Sequence, residues 1–92
     1  MLFRSTQVKD LTPLTQLTGL KSLDLWKTQV SDLTSLAQLA GLRELYLGNT
    51  QVSDIASLSA ISGLTVYVET DERAKALRRT LAAGSKVEVR VS

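Results

Sequence analysis

A 22-residue period runs through the first two thirds of the sequence and limits the fold more than any other feature. The hexapeptide that begins at Thr28 recurs at Thr50 with one conservative change, and a third version begins at Thr6. A fixed period of this length predicts a solenoid, because each repeat must bury its apolar face against the next one. The columns that keep the spacing are Gly19, Gly41 and Gly63; Leu20, Leu42 and Leu64; Leu14, Leu36 and Leu58; and Leu17, Leu39 and Ile61.

Each repeat combines two kinds of apolar spacing. The segments 23–25 and 45–47 alternate leucine with a polar or aromatic residue, which predicts short strands. The segment 33–39 carries leucine at every third position, which predicts a tight turn of 3₁₀ or α type packed on one side. The repeat therefore alternates a strand with a helical turn.

The ends of the helical turns carry their own signals. Thr12 before Pro13 has the pattern of an N-cap followed by proline at the first helical position. Aspartate is the alternative cap, because it recurs once per repeat, and the sequence does not choose between the two. The glycine column predicts C-caps with positive φ. The aspartates of the alternative cap are Asp10, Asp32 and Asp54.

The repeat Gly-Leu-x-x-Leu-x-Leu-x-x-Thr-x-Val-x-Asp-Leu-x-x-Leu-x-x-Leu resembles the bacterial, 22-residue, internalin-like subtype of leucine-rich repeat proteins. The resemblance covers residues 1–70. It implies an α/β leucine-rich repeat solenoid with a parallel β-sheet on the concave face and short 3₁₀ or α turns on the convex face. The family has asparagine where this sequence has Thr6, Thr28 and Thr50. A hydroxyl reaches less far than an amide, so we expect a weaker or water-completed ladder in this column.

The sequence after residue 64 departs from the repeat and predicts a C-terminal cap. The strand at 65–68 comes one residue early, and the segment 71–83 has the pattern of a helix capped by Thr70 or Asp71 and ended by Gly84. Alternating valines then predict a last strand at 86–91, with Val87, Val89 and Val91 facing inward. We therefore expect a single domain over residues 1–92, with repeats at 1–70, a helix-strand cap at 71–92, and parallel strands near 1–4, 22–25, 44–47, 65–68 and 86–91.

The first residues begin inside a repeat. Met1 and Phe3 occupy the columns of Leu23 and Leu25, so the sequence predicts an apolar strand edge with no preceding coil. Such an edge invites another strand. We expect a fragment of a longer protein, or a homo-oligomer through Met1, Leu2 and Phe3, with a short edge strand left in solution as the third alternative.

Composition excludes several classes of function. The chain of 92 residues has no cysteine and no histidine, which removes disulfides, thiolate ligands, the usual general base and the commonest zinc ligand. A net charge of +2 does not favour nucleic acid, and there is neither a signal peptide nor an apolar run of membrane-spanning length. We therefore expect a cytoplasmic protein that is not an enzyme and has no cofactor, no membrane contact and no metal. Asp32 and Asp54 would supply too few oxygens for calcium.

Two groups of side chains remain as candidates for binding. Four basic residues on the predicted cap helix are either an anion or acidic-partner patch or an ordinary solvated face: Arg73, Lys75, Arg78 and Arg79. The second group is aromatic, since Trp26, Tyr46 and Tyr67 fall at outward strand positions. Such rings either form a binding hot spot or simply favour strands. The sequence predicts a partner-binding site centred on them, with the mixed-charge rim Arg4, Asp24, Lys27, Glu44 and Glu69.

Two hypotheses of function follow from this pattern. The first is a protein-protein interaction module that binds an unknown protein partner through its concave sheet. The second is a structural or regulatory segment of a larger signalling protein, without binding activity of its own. The resemblance implies either role.

Overall fold

Four short strands form one parallel sheet in the computed structural model, which describes residue 7 and residues 10–91. The strands β1 to β4 follow one another in sequence order. The register pairs Leu23 with Leu45 and then Leu45 with Val66, so the third strand does arrive one residue early. The bounds are β1 Ser22–Asp24, β2 Glu44–Tyr46, β3 Thr65–Val68 and β4 Glu88–Val91. These strands confirm four of the predictions, and the strand expected near 1–4 lies outside the described residues.

The helical turns between the strands are of 3₁₀ type, and the aspartate column fixes their starts. An aspartate Oδ1 accepts a hydrogen bond from the backbone N–H two residues later, at 2.9 Å for Asp10, 2.9 Å for Asp32 and 2.7 Å for Asp54. Thr12 is the first residue of its turn and not the cap. The bounds of the turns are Thr12–Gln16, Thr34–Gln38 and Ala56–Leu58.

Leucine columns between the sheet and the turns form one continuous core. Leu36, Leu39, Leu42 and Leu45 have no exposed surface, because a coil covers each of them on both sides. Leu17 belongs to the same column as Leu39 but is 38% exposed. The core is therefore less exposed in the middle coil than at Leu17 in the first coil.

The threonine hydroxyls donate to backbone carbonyls of their own coil and not of the next coil. The hydroxyls of Thr28 and Thr50 each donate to the backbone carbonyl three residues earlier, on Leu25 and Leu47, at 2.7 Å. The link between these two coils is instead a backbone bond from Gln51 N to the Val30 carbonyl at 3.2 Å. The short hydroxyl thus replaces the amide ladder by local bonds.

The prediction of positive φ along the glycine column is wrong for two of its three members. Only Gly63 is left-handed, with φ 79°, and this conformation accompanies the residue missing before β3. The coils at Gly19 and Gly41 continue instead with 3₁₀-type bonds that end at Leu20 and Leu42, so they need no left-handed residue there.

The left-handed positions of the first two coils follow the strands. They are occupied by Lys27 with φ 58° and Asn49 with φ 57°. Residues other than glycine adopt this conformation at a cost in free energy, and this cost is lowest for asparagine. The left-handed residue of each of these coils thus lies after the strand and not before it, where the glycine column suggested.

One α-helix, α1, occurs in the described part of the chain; it spans Asp71–Arg78 and covers the inner side of β3 and β4. Thr70 is the N-cap, since its hydroxyl accepts from Arg73 N at 3.2 Å. Ala74 and Leu77 point into the core. The position and the N-terminus of the cap helix are therefore confirmed.

The predicted C-terminal end of the helix at residue 83 is wrong. The chain leaves the helix after Arg78 because the next residues bind the third coil. The Thr80 hydroxyl accepts from Ile55 N at 2.9 Å, and Ala82 N donates to Ser59 Oγ at 3.0 Å. These hydrogen bonds to backbone and hydroxyl groups of the third coil stabilise the chain more than another helical turn would.

The last strand also differs from its prediction. It begins at Glu88, and Val91 is 46% exposed, although Val87 and Val89 are buried as expected. Val91 lies at the end of β4, which is an edge strand of the described sheet. Glu88 N donates to the Leu64 carbonyl, so the Val89 carbonyl points away from β3, where Arg78 donates to it at 2.8 Å.

Candidate functional site

The sheet face turned away from the core carries the candidate site. Burial alternates along β1, β2 and β3, so every second side chain projects from this face. We call it the outer face and define it by these residues: Ser22, Asp24, Trp26, Glu44, Tyr46, Gly48, Thr65, Tyr67, Glu69, Glu88 and Arg90.

Tyr46 and Tyr67 form a stacked pair at the centre of the outer face. Their ring centroids are 4.7 Å apart and the ring planes differ by 13°. This separation equals the spacing of neighbouring strands, and the register pairs these two residues directly. The stack is therefore a consequence of the strand register.

Trp26 lies beside the tyrosines and covers a glycine that follows β2. Its ring occupies the space that a Cβ at Gly48 would fill. The Asp24 carboxylate accepts from Trp26 N at 3.0 Å, which fixes the chain where it leaves β1. The absence of a side chain at Gly48 thus lets a large ring lie flat on the sheet.

A carboxylate adjoins the tyrosine pair. The Tyr46 hydroxyl donates to Glu44 Oε2 at 3.3 Å. Partial burial raises the pKa of the Tyr46 phenol, and the negative charges of Glu44 and Asp24 and the bond to Glu44 add to this rise. The electrostatic potential around Tyr46 is therefore negative.

Glu69, predicted at the rim of the site, is tied into the framework. Its carboxylate accepts from Asn49 N at 3.0 Å and pairs with Arg73 Nε at 3.3 Å. Burial raises the pKa of Glu69, but hydrogen bonds from the backbone N–H groups of Glu69 and Asn49 and the charge of Arg73 together hold it below its ordinary value. The side chain braces the left-handed turn at Asn49.

Arg73 extends the same network to the third coil. Its guanidinium donates to the carbonyl of Val52 at 2.6 Å and to the carbonyl of Thr50 at 3.3 Å. It therefore satisfies two backbone carbonyls, one in the threonine column itself and one two residues later. A cap-helix residue read from the sequence as part of a basic patch or a solvated face thus has a framework role.

The structure brings together most of the predicted site residues. Trp26, Tyr46, Tyr67, Asp24 and Glu44 share the outer face, half-buried. Lys27 is exposed next to Trp26. Arg4 lies outside the described residues.

Sequence reasoning missed two members of the outer face. Glu88 and Arg90 form an ion pair on β4, with Arg90 Nη2 2.8 Å from Glu88 Oε2. The alternation with Val87, Val89 and Val91 was sufficient to place them opposite the core. Arg90 is in register with Tyr67 and extends the central row to the fourth strand.

The described residues offer no metal centre and no membrane span. Over residue 7 and residues 10–91, acidic side chains nowhere form a group of three or more that could hold a metal ion. The helices in this part of the chain are too short and too polar to cross a bilayer.

Comparison with known proteins identifies the repeat. Residues 18–60 match the family model of leucine-rich repeats (two copies). A crystal structure of internalin InlF from Listeria monocytogenes superposes with a TM-score of 0.69 at 21% identity, over 97% of this chain and 26% of that one. Internalin C2 from the same organism gives a TM-score of 0.69 at 26% identity, over 99% of this chain and 50% of that one. The chain thus spans between a quarter and a half of these structures, and a comparison with curated proteins found no match.

Proposed function

Because this chain is a leucine-rich repeat protein with an internalin-like fold, we propose that it is a protein-protein interaction module that binds its partner through the outer face. Repeats of this family typically serve protein recognition. The proposal takes residues 1–92 as a single, non-enzymatic domain. The central residues are Trp26, Tyr46 and Tyr67, and the rim is formed by Arg4, Asp24, Lys27, Glu44 and Glu69.

One observation carries the proposal. Three of the four aromatic residues of the chain, Trp26, Tyr46 and Tyr67, project from the outer face, although the core takes nearly all other large apolar side chains. Tyrosine and tryptophan are enriched at binding hot spots because they offer a large contact area and a polar group. Exposing them to solvent has a cost in solubility, which contact with a partner removes.

The rings are also held in fixed positions before any partner arrives. Trp26 rests on Gly48, and the two tyrosines stack on each other, so their side chains lose little freedom on binding. Immobilising a side chain costs about 0.5–1.5 kcal/mol when it is free beforehand. Preorganisation of the three rings therefore favours binding at this face over the exposed basic side chains of α1.

Selection from a displayed library of random peptides tests the proposal. The whole chain is the bait, and binding of the enriched peptides is then measured for Trp26→Ala, Tyr46→Ala and the control Lys75→Ala, an exposed residue of α1. We expect each aromatic variant to lose about 2 kcal/mol of binding, roughly thirtyfold, and the control to bind as before.

Thermal unfolding of the same variants separates binding from folding. We expect each aromatic variant to keep its stability to within about 1 kcal/mol, because these side chains make few core contacts. If peptides bind both aromatic variants as tightly as the original chain, the outer face is not the binding site. An early melting transition with unchanged peptide binding would give the rings a structural role instead.

The alternative role, a structural or regulatory segment of a larger signalling protein, is favoured by one observation. The chain corresponds to only 26% and 50% of the two solved internalin chains. A selection that enriches no peptide above background for the whole chain would favour this alternative.

A further inference from the structure

The outer face and the rest of the chain carry opposite charge. The chain as a whole has a net charge of +2. The described outer face carries four carboxylates, on Asp24, Glu44, Glu69 and Glu88, against the single guanidinium of Arg90. Surface charge sorted in this way attracts a partner of the opposite sign and fixes its orientation.

Among these carboxylates Glu44 retains the largest capacity for a further partner. Glu69 pairs with Arg73, and Glu88 pairs with Arg90. Glu44 accepts a hydrogen bond from the Tyr46 hydroxyl at 3.3 Å through one oxygen only. An ionised carboxylate has about four acceptor positions, so most of those on Glu44 remain available.

The hydroxyl end of the Tyr46 ring lies next to this carboxylate. Tyr67 covers one face of that ring at 4.7 Å. The register places Asp24 on the other side of Tyr46, and among the described residues no second ring stacks there. An aromatic face bordered by two acidic residues is a favourable position for a cation, through attraction to the ring and to the carboxylates.

We propose that the partner is a protein segment that presents a lysine or arginine side chain to Tyr46 and Glu44, between β1 and β2. This inference rests on the proposed function and adds the chemistry of the partner. The cation lies against the Tyr46 ring and donates to the Glu44 carboxylate. The neighbouring Trp26 ring contacts the apolar stem of that side chain or the residue beside it.

The only tryptophan of the chain reports on binding at this place. Trp26 fluorescence is followed while the whole chain is titrated with a peptide of alternating glycine and arginine, and then with its glycine-glutamate counterpart. We expect a saturable change with the basic peptide only, and weaker binding at high salt. No saturable change with the basic peptide, or an equal change with the acidic one, would overturn the inference.

A pair of variants removes the same charge at different places. Glu44→Gln should weaken binding of the basic peptide by at least about fivefold, because a charge-assisted hydrogen bond is lost. Glu72→Gln, at an exposed position of α1, should leave binding within about twofold. Equal losses in both variants would show a non-specific charge effect and contradict the site.

The library selection distinguishes failure of this inference from failure of the proposed function. Enriched peptides that depend on Tyr46 and carry an excess of lysine or arginine support both. Enriched peptides that depend on Tyr46 without this excess leave the interaction module standing and refute the basic partner. Enriched peptides that ignore Tyr46 refute both.

Discussion

The ring of Trp26 fills the space above Gly48, which follows β2, so Gly48 supports the ring. Any side chain at position 48 has to share this space. The pair therefore determines how the largest aromatic residue of the outer face is presented.

Gly48→Ala should displace the Trp26 ring. The backbone of Gly48 is not left-handed, so alanine is tolerated there, but its Cβ overlaps the far end of the indole, which must swing toward solvent. We expect a shift of tryptophan emission to longer wavelength and a loss of about 1 kcal/mol in the free energy of unfolding. Gly19→Ala is the control, because a Cβ there meets no atom within 4 Å. Unchanged emission in Gly48→Ala would contradict the observed position of the ring.

Leu45→Ala should be severely destabilising. Leu45 has no exposed surface and lies between the columns of Leu23 and Val66, so its truncation leaves a cavity that the coils cannot close. Chemical denaturation should show a loss of about 2–5 kcal/mol. Leu17→Ala makes the same change at a side chain that is 38% exposed and should lose less than half as much. Similar losses for the two would place Leu45 outside the core.

Arg73→Met should detach the cap helix from the third coil. The substitution keeps much of the side-chain bulk but leaves the carbonyls of Val52 and Thr50 without the guanidinium. We expect a loss of about 2 kcal/mol or more, measured by chemical denaturation. Arg73→Lys should recover only part of it, because an ammonium cannot reproduce the fork of the guanidinium. Lys75→Met, exposed on the same helix, is the control and should change little.

Glu69 should make the protein sensitive to acid. Its folded pKa lies below the ordinary value, so the unfolded chain binds more protons in the interval between the two. The stabilisation is complete above the ordinary glutamate pKa of about 4.3 and is lost as the pH falls through the lower folded value. Melting temperatures of Glu69→Gln should therefore fall less steeply in this range than those of the original chain. Parallel curves for the two proteins would assign the acid sensitivity to other carboxylates.

The repeat architecture could be predicted well from the sequence because the 22-residue period places the same inter-coil contacts in each coil. The sequence predicted the helix end poorly for an equally physical reason. The helix stops at Arg78 because Thr80 and Ala82 find partners on the third coil, and such long-range bonds leave no local signal. The self-association expected through Met1, Leu2 and Phe3 stays a prediction.

The site was predictable where alternation and register decide the outcome. These two rules are sufficient to place Tyr46 beside Tyr67 and Trp26 beside Gly48. They could not show that Glu69 is held by Asn49 and Arg73, since those contacts join residues from three different parts of the repeat and cap. Rim residues therefore need the structure before they can be separated into binding and bracing groups.

The contacts of the cap helix determine where the chain can be lengthened. Arg73 donates to the carbonyls of Val52 and Thr50 in the third coil, so a unit inserted after residue 52 would separate the cap from these acceptors. The bond from Arg78 to the Val89 carbonyl joins two residues of the cap and would move with it. A 22-residue unit inserted between Thr28 and Thr50 repeats contacts that already exist there. Gene duplication or protein engineering can thus enlarge the outer face from the middle of the array while the contacts between the cap and the third coil are kept.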